Sequence, residues 1–117
     1  MTIFQYPKCS TCKKALAWLK AKQLDHESID IVKTPPSRAV LEQAAKLGKL
    51  DVKKLFNTSG ESYRNGNFKE RLATMSDAEA FAALAADGKL IKRPLLIAKG
   101  VALVGFKEEE WARVLTR

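Results

Sequence analysis

The sequence has few residues of the kinds that bind metal ions or build disulfide frameworks. It contains 2 cysteines and 1 histidine among 117 residues. A structural zinc site normally needs about four Cys or His ligands, and an iron–sulfur cluster needs a similar number of thiolates. One chain is too poor in ligands for either site, and a shared zinc ion would require a second chain. We predict no metal site and no bound cofactor.

Long apolar runs are also absent. No stretch approaches the roughly 20 apolar residues of a membrane span, and lysines interrupt the apolar part of residues 1–20, which argues against a signal peptide. We therefore expect a cytoplasmic protein without a membrane partner. No repeat, linker or low-complexity segment divides the chain, so residues 1–117 are predicted to form one domain, and we expect a monomer.

Acidic residues are the scarcer charged class. The chain has 13 Asp and Glu against 21 Lys and Arg, which gives a net charge of +8. An excess of positive charge suits an anionic substrate, an acidic protein partner or nucleic acid, and does not choose among them. The cations are scattered or paired, as in Lys53-Lys54 and Lys92-Arg93, without a recognition helix or an RNA-binding signature. We expect a solvated basic surface and no direct binding of nucleic acid.

Both cysteines stand in one motif, Tyr6-Pro7-Lys8-Cys9-Ser10-Thr11-Cys12-Lys13-Lys14. The residues before it, Thr2 to Tyr6, are β-branched and aromatic like a strand, and those after it repeat apolar side chains at helical spacing. The cysteines are therefore predicted to lie at a strand-to-helix turn. They could be small buried apolar residues. In a reducing compartment, however, C-x-x-C in this context is more typical of a transient redox pair.

The predicted turn gives the two sulfurs different chemistry. Free N–H groups and the positive end of a helix dipole favour a thiolate, and Lys8, Lys13 and Lys14 add positive charge. Cys9 is therefore predicted to be the nucleophile. Cys12, about one helical turn further on, is near enough to attack a mixed disulfide on Cys9 and resolve it.

The order of predicted elements is typical of one fold class. Residues 1–32 read as strand, helix, strand; residues 34–88 read as several helices; and the remainder reads as a β-hairpin followed by a helix. This is an α/β, thioredoxin-like fold (β-α-β … β-β-α) with a helical insertion at about 34–88 between its halves. Pro94, at the start of the hairpin, is where this fold places a cis proline beside the dithiol.

The chain resembles the ArsC/Spx family, which joins glutaredoxin-coupled arsenate reductases to Spx-type redox regulators of RNA polymerase. The resemblance runs nearly end to end. It is carried by five segments, namely Tyr6 to Lys14, Thr34-Pro35-Pro36-Ser37-Arg38, Asn57-Thr58-Ser59-Gly60, Lys92-Arg93-Pro94 and Val104-Gly105-Phe106.

The resemblance implies roles for some of these residues, and it also shows which contacts of the reductases this chain lacks. Cys9 matches the cysteine that attacks arsenate in the reductases, and Arg93 matches an arginine that holds the oxyanion. Two further arginines of the reductases are replaced by Asn57 and Gly105 in our alignment, which removes charge-assisted contacts to arsenate. Cys12 stands where those reductases have serine, so this chain can close its own disulfide.

The substrate is expected to be a thiol, a disulfide or an oxyanion bound beside the dithiol. The residues expected to contact it are Lys8, Ser10, Thr11, Lys13, Arg93 and Pro94.

Three functions remain open from the sequence. The first is a thiol–disulfide oxidoreductase that takes electrons from glutathione, glutaredoxin or thioredoxin. The second is a redox-sensing regulator that binds the α subunit of RNA polymerase, because Spx-type proteins share the C-x-x-C and the Arg-Pro. The third is a true arsenate reductase. The chain stops soon after Trp111, where Spx-type regulators continue into a basic tail.

Overall fold

A mixed sheet lies at the centre of the computed structural model, which describes residues 1–116. Its strands are β1 (Thr2–Gln5), β2 (Glu27–Asp30), β3 (Leu95–Ala98) and β4 (Val101–Val104), in the order β2-β1-β3-β4. β1 is parallel to β2 and antiparallel to β3, and β3 is antiparallel to β4. The predicted β-α-β and β-β-α halves of a thioredoxin-like fold are confirmed.

The helices fall into two groups. α1 (Ser10–Ala21) connects β1 to β2, and α6 (Glu108–Leu115) follows β4. Between β2 and β3 lie α2 (Arg38–Gly48), α3 (Glu61–Asn65), α4 (Phe68–Arg71) and α5 (Asp77–Ala86), with 3₁₀ turns at Val52–Leu55 and Gly88–Leu90. These helices occupy the segment for which the sequence predicted a helical insertion. Within residues 1–116, no helix combines the length and apolar character needed to cross a membrane.

The two faces of the sheet bury different apolar clusters. Successive strand residues point to opposite faces, so Ile3 and Leu96 enter the cluster with α1 and α6, whereas Phe4 and Leu95 enter the cluster with the helical insertion. Each fully buried side chain of this size contributes about 2 kcal/mol from the removal of apolar surface from water. The sheet is thus covered on both faces, and the loops after β1, before β3 and after β4 are left at one edge to form a site.

Aromatic packing fixes the start of α6. The Trp111 indole Nε1 donates to the Gly105 carbonyl oxygen at 3.1 Å, and the Phe106 ring meets the Trp111 ring edge-on with centroids 4.9 Å apart. Trp111 is fully buried. The segment between β4 and α6 is therefore anchored at both its backbone and its side chain.

The sequence predicts two helix starts from their capping residues, namely Ser37 or Thr34 for one helix and the capping box Ser76-Asp77-Ala78-Glu79 for another. The Ser37 side chain accepts the Val40 N–H at 3.2 Å at the start of α2. At the start of α5, the Ser76 hydroxyl accepts the Glu79 N–H at 3.1 Å, and the Glu79 carboxylate accepts the Ser76 N–H at 3.1 Å. This reciprocal pair is the predicted capping box.

The predicted end of the second strand is wrong. The alternating residues Ser28 to Val32 predicted a strand through Val32, but β2 ends at Asp30. The Asp30 carboxylate accepts the N–H groups of Val32 at 2.9 Å and Lys33 at 3.1 Å, and these bonds turn the chain.

The sequence also predicts a polar loop over residues 57–62, leading to Tyr63 and Arg64. This prediction is wrong at Glu61 and Ser62, where α3 begins. The Tyr63 ring lies 6.3 Å from the Phe68 ring and 6.4 Å from the Phe56 ring, measured between centroids. Packing against aromatic rings on either side of the helix thus stabilises a helical turn that the composition of residues 57–62 does not favour.

Candidate active site at the start of helix α1

Cys9 is the N-cap residue of α1. The turn after β1 is closed by the Cys9 N–H, which donates to the Tyr6 carbonyl oxygen at 3.0 Å. The Cys9 Sγ then accepts the backbone N–H of Cys12 at 3.3 Å, in the way that a serine or aspartate oxygen caps a helix. The predicted strand-to-helix turn is confirmed, and the sulfur of Cys9 lies at the positive end of the helix dipole.

The surroundings of Cys9 favour its thiolate. Partial burial would by itself raise the pKa of Cys9, but hydrogen bonds from the Cys12 side chain and backbone, together with the Arg93 guanidinium, outweigh it. The net result is a pKa of Cys9 below the ordinary value of a thiol. A larger fraction of Cys9 is therefore ionised at neutral pH, and the thiolate is the nucleophilic form.

The surroundings of Cys12 have the opposite effect. Cys12 is fully buried. Desolvation, together with the hydrogen bond and negative charge of Cys9, raises the pKa of Cys12 to about 12. Both cysteines are free thiols in the structure. The pair therefore consists of a partly exposed, acidic sulfur and a buried, protonated one.

Arg93 closes the site from the opposite side. Its guanidinium lies over the Tyr6 ring, 5.0 Å from the centroid, and its Nη1 donates to the Lys89 carbonyl oxygen at 3.5 Å. The Arg93 Nε is buried and has no hydrogen-bond partner among the described residues. The next peptide bond, Arg93–Pro94, is cis as predicted, and Pro94 is buried. Arg93 is thus the residue best placed to bind an oxyanion or a carboxylate next to Cys9.

An open cleft of about 360 Å³ lies beside Cys9, at the edge of the sheet where β1 and β4 end and β3 begins. It is lined by Cys9, Thr11, Asn57, Lys92, Arg93, Val104, Gly105, Phe106 and Lys107. Thr11 and Arg93 are the predicted substrate contacts among these residues. Lys8, Ser10 and Lys13 are exposed around the start of α1 and do not belong to the lining. Their contribution to substrate binding stays a prediction.

The sequence did not identify two cations of this cleft, Lys92 and Lys107. Gly105 has φ +71°, and a Cβ built there would lie 3.2 Å from Cε and 3.7 Å from Nζ of Lys92. The lysine side chain therefore lies over the glycine, close to where a longer residue at position 105 would project. Lys92 was visible in the sequence only as the neighbour of Arg93, and Lys107 only as the first residue of the predicted last helix. Nothing local showed that they line the same cleft as Cys9.

A thioredoxin-like sheet with a dithiol at the start of its first helix, faced by an arginine before a cis proline, defines the class of protein. Residues 4–114 match the sequence profile of the ArsC family. The chain therefore belongs to the ArsC family.

Individual relatives cover almost the whole chain. An uncharacterized protein of Bacillus subtilis, YusI, is 45% identical over 111 residues, which are 95% of this chain and 94% of YusI. The crystal structure of an ArsC-family-related protein from Bacteroides fragilis superposes with a TM-score of 0.92 at 43% identity, covering 96% of this chain and 94% of the other. The global transcriptional regulator Spx of Lactiplantibacillus plantarum is 25% identical over 115 residues, which are 98% of this chain and 86% of Spx.

Proposed function

We propose that the protein is a thiol–disulfide oxidoreductase of the ArsC family, with Cys9 as the nucleophile and Cys12 as the resolving thiol. One observation carries the proposal. The pKa of Cys9 is lowered and that of Cys12 is raised to about 12, although only two residues separate them. Such an asymmetric pair at the edge of an open cleft suits a two-step exchange. One sulfur must attack the disulfide of the substrate first, and the other must stay unreactive until the mixed disulfide has formed.

The reaction balances as a transfer of two electrons. The Cys9 thiolate attacks one sulfur of the substrate disulfide, the substrate S–S bond breaks, and the departing sulfur leaves as a thiolate that takes a proton from water. Cys12 then gives up its proton and attacks the Cys9 sulfur, which releases the second substrate thiol. The substrate is reduced, and Cys9 and Cys12 are oxidised to a disulfide.

A cellular dithiol must return the protein to its reduced form. Thioredoxin, or glutaredoxin supplied by glutathione, is the chemical class of donor that the proposal needs. Such donors belong to the reducing cytoplasm, where we expect the protein to act. The open side of the cleft leaves Cys9 partly exposed, so that the sulfur of a second protein can approach it.

The proposal is tested by a redox titration followed by a turnover assay. Thiol alkylation and mass spectrometry across dithiothreitol buffers should show one reversible Cys9–Cys12 disulfide, with both thiols blocked in the oxidised form. Many equivalents of a disulfide substrate should then be reduced for each equivalent of protein when thioredoxin or glutaredoxin is supplied. If both cysteines stay alkylatable in every oxidising buffer, the proposed redox function is wrong.

A second function, that of an Spx-like regulator, is supported by the likeness to the transcriptional regulator Spx over 98% of this chain. The same dithiol would then act as a sensor whose oxidation changes the affinity for the α subunit of RNA polymerase. Pull-down of purified α subunit by reduced and oxidised protein separates the two functions. A regulator binds stoichiometrically and with redox dependence, whereas an oxidoreductase turns over without retaining the subunit.

A further inference from the structure

Three clefts meet at the side chain of Lys92. The first is the cleft beside Cys9; the second, of about 250 Å³, reaches Lys54 and Glu110; and the third, of about 450 Å³, reaches Lys53 and Thr58. Lys107 is shared by the first two clefts and Lys54 by the last two. A continuous groove therefore leads away from the nucleophile across the surface.

The cations of this groove form no ion pair with a carboxylate among the described residues. We call it the lysine groove and define it by Lys53, Lys54, Lys92, Arg93 and Lys107. The carboxylates that line the same clefts are Asp51 and Glu110. Within residues 1–116 the only ion pair joins Arg38 to Glu42, away from the groove. A row of unpaired cations beside a reactive sulfur raises the local concentration of anionic partners.

The apolar parts of the groove indicate what kind of anion it fits. Val104, Leu50 and Phe56 lie among the lysines along its length. Phe56 is only 2% exposed, and the Phe106 ring is packed edge-on against Trp111. The Phe56 ring is therefore too buried to offer a face on which a base could stack, as single-stranded nucleic acid requires. Alternating cationic and apolar side chains suit an extended acidic polypeptide.

We propose that the lysine groove binds an acidic segment of the substrate, so that the dithiol prefers peptide or protein disulfides whose cysteine is flanked by aspartate or glutamate. The proposal rests on the proposed oxidoreductase function and names its substrate class. Carboxylates on the substrate contact Lys92, Lys107 and Lys54, while the disulfide lies over Cys9. Among the cations of the groove, Arg93 is the one whose hydrogen bond and charge act on the Cys9 sulfur.

The test compares matched peptide disulfides. Three homodimeric peptides share one cysteine and differ only in flanking Asp/Glu, Asn/Gln or Lys residues. In single-turnover reduction at low salt, the acidic peptide should react roughly tenfold faster than the amide peptide, and the advantage should shrink as salt is added. Equal rates for the three peptides would overturn the substrate preference while leaving the oxidoreductase function intact.

Matched variants locate the preference. The double variant Lys54→Gln/Lys92→Gln should bring the ratio of acidic to amide rates close to unity. The control Lys33→Gln/Lys99→Gln removes the same charge from exposed residues outside the groove and should keep the ratio. A ratio that survives the groove variant, or falls equally in the control, contradicts the assignment.

A binding measurement separates this proposal from the function on which it rests. Serine replaces cysteine in the same acidic and amide peptides, and binding is followed by tryptophan fluorescence at low salt. Tighter binding of the acidic peptide supports the groove even if no disulfide is reduced. Equal binding of the two peptides, or tighter binding of a single-stranded oligonucleotide than of the acidic peptide, overturns it.

Discussion

The cleft beside Cys9 has two walls, one formed by the β1–α1 turn and the other by the segments before β3 and α6. The first wall is made by a continuous stretch, in which the helix start and its N-cap sulfur are close in sequence. The second wall brings together Lys92, Arg93 and Lys107 from distant segments. The first wall supplies the nucleophile and the second supplies positive charge. Under the proposed function, the type of reaction is therefore determined by one short stretch of sequence, whereas selectivity for the substrate depends on tertiary structure.

The largest effect is expected from breaking the first wall at its nucleophile. Cys9→Ser should abolish reduction and the trapping of mixed disulfides, because the remaining thiol is buried and protonated. Cys12→Ser should instead accumulate mixed disulfides, because it keeps the attacking sulfur and lacks the resolving one. Non-reducing gels with a disulfide substrate measure both. Equal trapping by the two variants would contradict the assigned roles.

The next largest effect concerns the rate of arsenate reduction, because the second wall lacks two positive charges that would bind arsenate. The resemblance to the reductases implies that Asn57 and Gly105 stand where those proteins have arginine. Each charge-assisted contact is worth ~2 kcal/mol, so the loss of two is expected to lower turnover roughly a thousandfold. We expect little arsenate-dependent NADPH oxidation in an assay coupled through glutaredoxin or thioredoxin. Asn57→Arg should raise the rate by about tenfold or more.

Position 57 is the better site for that test. An arginine at position 105 would meet both the positive φ of Gly105 and the Lys92 side chain. A robust arsenate rate in the wild type, lost in Cys9→Ser, would contradict this prediction and show that the two arginines are not needed for arsenate reduction.

A smaller effect, on the reactivity of Cys9, is expected when the interaction between Arg93 and Cys9 is weakened. Arg93→Gln removes a hydrogen bond and a positive charge that lower the pKa of Cys9. The pKa should rise, so alkylation at pH 7 should slow by about threefold to tenfold. Above the ordinary thiol pKa of ~8.5, both proteins are mostly thiolate and their rates should converge. Arg93→Lys, which keeps the charge, should lie between them. Superimposable pH profiles would show that Arg93 does not influence Cys9.

The smallest effect on the cleft is expected from a change in the scaffold. Ser76→Ala removes the capping hydroxyl of α5 and should lower the free energy of unfolding by about 1 kcal/mol in urea denaturation. The alkylation rate of Cys9 should not change. A slower rate in this variant would mean that the helical insertion controls the dithiol, and the separation of the two walls would not hold.

The features predicted from the sequence are those that local chemistry determines. The C-x-x-C turn, the Ser76 capping box and the hairpin at Gly100 each depend on residues that are close in sequence. The helix at Tyr63 was missed because the packing of the Phe56 and Phe68 rings against Tyr63 cannot be read from the polar composition of the segment. Lys92 and Lys107 were missed for a different reason, since only the folded sheet brings their loops to the cleft beside Cys9.

The buried position of Cys12 has a consequence for the order of events. Two of the causes that raise its pKa are the hydrogen bond and the negative charge of Cys9. Both disappear when the Cys9 sulfur becomes part of a mixed disulfide, so Cys12 then loses its proton more readily. Under the proposed function, Cys12 thus stays protonated until Cys9 has formed a mixed disulfide with the substrate, and it becomes reactive as a result of that step. The order of the two steps, attack by Cys9 and then attack by Cys12, would therefore follow from the electrostatic coupling of the two sulfurs and would not require a moving lid.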